Sequence, residues 1–137
     1  MVRERWRLVF LALSAQAVTV KLRPKESRCV WTHVAAKGEK ATVEVFVESG
    51  GALNARLEIV GPYAMDEEGT PFVDAEDVPT VHDATFSSAE TVDGVFASPT
   101  IVEFDAEAPG AYKACVFNSV SRFEHKVVDI DFRTSER

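Results

Sequence analysis

The stretch Gly110–Phe132, GAYKACVFNSVSRFEHKVVDIDF, decides how this chain folds. In its last part, KVVDIDF, Val128, Ile130 and Phe132 share one face while Asp129 and Asp131 take the other. That two-residue period belongs to a strand with one buried and one wet side. Before it, Pro109-Gly110 turns the chain into AYKACVF, a second strand that carries Cys115, one of only two cysteines.

The same rhythm recurs upstream. In KATVEVFVES, Ala41, Val43, Val45 and Val47 point inward, with Thr42, Glu44 and Glu48 opposite them. LNARLEIV places Leu53, Ala55, Leu57 and Ile59 inward. The short Ser-Gly-Gly connection predicts that these two runs form an antiparallel hairpin, with Gly61-Pro62 stopping the second strand. TIVEFDA sends Val102, Phe104 and Ala106 to one side, and VTVKL and RCVWTHVA supply two further strands near the start. No segment keeps a helical period with caps. The run Tyr63–Asp83 breaks the alternation with prolines, a glycine and many acids, and reads as a long surface loop. A second loop, Glu90–Pro99, carries an Asp-Gly turn. The expected fold class is all-β, an antiparallel β-sandwich.

At 137 residues the chain is one domain's worth, and its formal charge of −7 argues against a nucleic-acid partner. Between Leu57 and Tyr112 there is no Lys or Arg, against thirteen Asp and Glu, so the fold should have an acidic side. That side is either a solvated surface or a contact surface for a basic partner. Asp66, Glu67, Glu68, Asp74, Glu76 and Asp77 lack the spacing of a calcium loop and read as solvated.

The N-terminus pairs a basic start, MVRERWR, with a short apolar run and the small-x-small sequence Ala15-Gln16-Ala17. This is the form of a secretory signal peptide over residues 1–17, leaving a domain over residues 18–137. The competing reading is a buried first strand. No later segment is apolar for the roughly 20 residues a membrane helix needs. A secreted context would expose Cys29 and Cys115 to an oxidising lumen. Two cysteines allow one intramolecular pairing. It would tie the second strand to the penultimate one, holding two facing sheets. Two free thiols or a bond to another chain remain open at this point.

No catalytic constellation is visible. There is no nucleophile elbow, no C-x-x-C, and His33, His82 and His125 are not at metal-ligand spacings. The sequence therefore predicts no enzyme, no metal and no cofactor. Tyr112 reads as a core aromatic with a backbone partner, Asn118 as a turn former, and Trp31 as packing near the cystine. His125, beside Glu124 and Lys126 at the entry to the last strand, is either a structural histidine or a pH sensor that weakens partner binding in acidic compartments.

The run Gly110, Tyr112, Cys115, Asn118, followed by Phe123, His125, Lys126, Asp131 and Phe132, resembles the end of the GOLD domain of the TMED family of cargo receptors. VTVKL, the Cys29 strand and KATVEVFV match its first half more loosely, and together the likeness spans Val18–Arg133. The resemblance implies a luminal sandwich whose two cysteines pair, without enzymatic activity. It implies a role in transport between endoplasmic reticulum and Golgi, binding luminal cargo, including lipid-anchored proteins, and assembling with related subunits into hetero-oligomers. Family members continue through a coiled coil, a membrane helix and a coat-binding tail; the sequence stops at Arg137 without them, which fits either a truncated chain or a soluble relative. The acidic loop before His82 is also longer than the family's usual connection. The alternative function is a secreted sandwich module that binds carbohydrate or a cell-surface receptor.

Overall fold

A computed structural model describes residues 16–50, 53–88, 98–119 and 124–135. These form eight strands: β1 (Gln16–Leu22), β2 (Ser27–Val34), β3 (Lys40–Ser49), β4 (Asn54–Tyr63), β5 (Thr80–Ser87), β6 (Thr100–Asp105), β7 (Gly110–Phe117) and β8 (Lys126–Thr134). The signal-peptide segment lies outside the described residues except for Gln16 and Ala17, which open β1 opposite Phe132 and Asp131. Most of the Glu90–Pro99 loop and Phe123 also lie outside them.

The strands form two antiparallel sheets of four, in the orders β1-β8-β3-β6 and β2-β7-β4-β5. Along the chain, successive strands alternate between the sheets except at β4 and β5, which are neighbours in one sheet. This is the connectivity of a jelly roll. The inward residues of both sheets fill one core. Ala41, Val43, Val45 and Val47 of β3 face Ala55, Leu57 and Ile59 of β4, and all seven are wholly buried. Val128, Ile130 and Phe132 of β8, and Tyr112, Ala114 and Val116 of β7, complete the packing.

The expected hairpin between β3 and β4 is not formed. β3 pairs with β6 and β8, and β4 with β5 and β7. Alternation states which side of a strand is buried but not which strand lies beside it. A hairpin and an arch that crosses from one sheet to the other use the same apolar positions. Here the arch wins because its turn is seated on the other end of the chain. Gly50, at φ +112°, lies so close to β8 that a Cβ would collide with the carbonyl of His125 and come within 2.9 Å of Lys126 Cα. Only glycine combines that backbone angle with that approach.

Two boundaries also differ. Gly61-Pro62 does not end β4, which runs to Tyr63 with an irregular register between Val60 and Tyr63. Pro62 is accommodated at that break because the ladder there needs no N–H donor from it. The segment read as one loop ends at Pro79, and Thr80–Ser87 is the edge strand β5. Only Phe86 is buried in β5. An edge strand with a single core residue shows no alternation to read.

The space above Gly61 is filled by Tyr112, whose ring carbon Cγ would stand 2.7 Å from a Cβ at that position. Gly61→Ala should therefore destabilise the fold by about 1–3 kcal/mol through overpacking. Urea unfolding measures the cost, which should shrink when Gly61→Ala is made in a Tyr112→Ala background that lacks the clashing ring.

Candidate functional site

The residues that stand out on β7 hold the frame together. Cys115 lies directly opposite Cys29 of β2, and the two are bonded, with Cα atoms 4.0 Å apart. The staple joins the second strand to the penultimate one, as expected, but within one sheet rather than between two. Cys29, Trp31 and His33 alternate with the inward Val30, Thr32 and Val34, so the bond sits on the outer face of the sheet. It fastens an edge strand to its only neighbour among the described residues. The closed loop, 86 residues in sequence separation, corresponds to about 4.5 kcal/mol in the chain-entropy model.

Tyr112 is 1% exposed, and its hydroxyl donates to Ala108 O at 2.8 Å, the partner a buried phenol requires. Burial pushes its pKa upward, and the bond to Ala108 opposes the shift. Asn118 is fully buried and does more than form a turn. Its Nδ2 donates to the carbonyls of Leu22 at 3.3 Å, Arg23 at 3.1 Å and Glu124 at 2.8 Å. Its backbone N–H donates to Glu26 O and its carbonyl accepts from Lys25 N–H, both at 2.9 Å. One side chain thus ties the β1–β2 turn to the segment entering β8.

Lys126, the first residue of β8, is 1% exposed and donates its ammonium to Asn54 O and to Asn54 Oδ1, closing the arch between β3 and β4. Burial holds its pKa below the ordinary lysine value, while Glu124 raises it. The two-residue period puts Lys126 in phase with the inward Val128, Ile130 and Phe132, and only its charge argues for the wet side. His125 itself is exposed.

Trp31 shares the outer face with Cys29 and packs edge-on against Tyr63 at 5.0 Å, with Lys113 Nζ above both rings. Arg56 stands over Phe117 and forks to Asp83 at 2.7 and 2.9 Å. The Arg56 guanidinium holds the Asp83 carboxyl below the usual aspartate range.

Among the described residues, no three His, Cys, Asp or Glu side chains gather to hold a metal ion. No helix there is long and apolar enough to cross a membrane. The acidic span Leu57–Tyr112 includes the edge strands β5 and β6 and the long loop before β5, with Glu103 and Asp105 on β6 and Asp83 on β5. Lys21, Arg23, Lys25 and Arg28 lie on the opposite flank with β1 and β2. The acidic loop is internally hydrogen-bonded: Asp66 Oδ1 accepts from the N–H groups of Glu68 and Thr70, and Phe72 N–H donates to Ala64 O.

The described residues thus form a jelly-roll sandwich with a cystine on its outer face. The model of the emp24/gp25L/p24 (GOLD) family matches residues 17–137, and the chain belongs to that family. The family serves transport in the secretory pathway. No curated protein sequence matches the chain significantly. Solved structures share the fold at low identity. PliG of Aeromonas hydrophila, a periplasmic inhibitor of g-type lysozyme, is similar at TM-score 0.53 and 15% identity, over 89% of this chain and 87% of that one. A cleaved adhesin domain of Lys-gingipain from Porphyromonas gingivalis gives 0.53 and 11%, over 88% and 90%. CorA, a surface-associated copper-binding protein of Methylomicrobium album, gives 0.52 and 10%, over 88% and 93%.

Asn118→Ala should cost about 2–3 kcal/mol by stranding buried carbonyls. Asn118→Asp should cost more, because a carboxylate would face three carbonyl oxygens with no proton to donate. Thermal or denaturant unfolding of both variants checks the order.

Proposed function

We propose that this chain is the luminal, non-enzymatic binding domain of a cargo receptor for transport between endoplasmic reticulum and Golgi, engaging cargo proteins and related GOLD-family subunits. The family match over residues 17–137 carries this reading. The retention of the Gly110, Tyr112, Cys115, Asn118 and Lys126 frame in one folded unit supports it. Binding modules of this kind need a rigid scaffold and exposed edges, and both sheets present edge strands and loops for contact. Within the same proposal, the exposed His125 weakens partner binding as compartments acidify.

Expression of the tagged chain in secretory cells tests the function. Sedimentation with early secretory membranes and co-precipitation of related GOLD subunits are expected, whereas full release into the medium with no such partner would contradict it. Partner affinity should fall between about pH 7.2 and about pH 6.0 in the wild type and hold steady in His125→Asn. Equal wild-type affinity at both values would remove His125 from the account.

A further inference from the structure

The acidic flank contains a cleft where the edge strands β5 and β6 part. Its volume is about 290 Å³. Pro79 and Val81 form one wall, Phe104 and Tyr112 line the apolar part, and Asp105 and Glu107 stand beside them. The opening has a structural cause. Ile59 pairs with His82 and Val60 with Thr80, so Val81 is an extra residue on β5. A bulge of this kind turns a side chain away from the regular alternation, and Val81 is left 38% exposed beside the cleft.

The chemistry of the lining is specific. The hydroxyl of Tyr112 is already committed to Ala108 O and its ring is buried, so the apolar surface open to an occupant is that of half-buried Phe104 and exposed Val81. Asp105 and Glu107 are exposed carboxylates. Lys40 Nζ lies 3.3 Å from Asp105 Oδ1, while Glu107 forms no ion pair among the described residues. No Lys or Arg occurs anywhere in the surrounding span from Leu57 to Tyr112. An occupant that suits both parts has a hydrocarbon stem and a cationic head. The stem covers apolar surface while the charge stays at the wet end. An acidic side chain would be repelled there, and a purely apolar one would gain nothing from the carboxylates. The negative flank would also steer a basic surface toward the cleft.

We propose that this cleft receives a lysine or arginine side chain presented by a protein partner, its stem on Phe104 and Val81 and its charge beside Glu107 and Asp105. The proposal goes beyond family membership and stands whether or not the partner is transport cargo.

The test is an NMR titration of the isotope-labelled chain with the capped tripeptides Gly-Lys-Gly and Gly-Arg-Gly, with norleucine and glutamate versions as controls. The amide signals of Val81, Phe104 and Glu107 should move with the two cationic peptides, and the two controls should bind more weakly. Glu107→Gln should weaken cationic binding by about two- to fivefold, the range of a partly exposed ion pair. Lys40→Met, which frees Asp105 from its internal partner, should strengthen it. Absence of shifts at those amides, equal binding of the norleucine peptide, or unchanged affinity in Glu107→Gln would overturn the assignment.

Discussion

The bond between Cys29 and Cys115 locks the register of an edge strand that is otherwise held by its ladder to β7 and by the inward Val30, Thr32 and Val34. Among the described residues β2 has one neighbour in its sheet, and its outward residues Cys29, Trp31 and His33 lie outside the sandwich core. Three residues along, Asn118 makes the complementary fastening, gathering the carbonyls of the β1–β2 turn and of Glu124 onto one amide. Together the two residues fasten β2 and the β1–β2 turn to β7 and to the segment entering β8. The rest of the sandwich, built on β3, β4, β7 and β8, is held by apolar packing in which most inward side chains are fully buried.

This division explains what could be read from the sequence. Strands with one face in the core, such as β3 and β8, carry a clean two-residue rhythm, and their inward residues are those the rhythm names. Sheet membership left no such trace. Val43 and Leu57 are inward whether their strands lie side by side or face to face, and the choice rests on Gly50 meeting the backbone of His125, far along the chain. β5 stayed hidden because an exposed edge strand has no buried periodicity. The cystine was legible as a pairing, but its place on the outer face depends on the phase of β2, which Trp31 and Val30 together obscure by being apolar on both sides.

The candidate surfaces divide along the same line. The C-terminal motif that carries the family resemblance is architectural in this fold: Gly110, Tyr112, Asn118 and Lys126 are all spent on close approach, burial and internal hydrogen bonds. What remains available for recognition is the segment with the least regular sequence. The acidic loop, the bulged edge at Val81 and the carboxylates of Asp105 and Glu107 occupy one flank, while the basic residues of the β1–β2 side occupy the other.

The central claim is that the cystine holds an edge strand in place rather than clamping two sheets together. Amide hydrogen exchange on the Cys29→Ser, Cys115→Ser double variant tests it most directly. Protection should collapse in β2, from Val30 to Val34, while β3 and β8 stay protected well above it. Loss of protection to the same extent in both sheets, or unchanged protection in β2, would contradict the account.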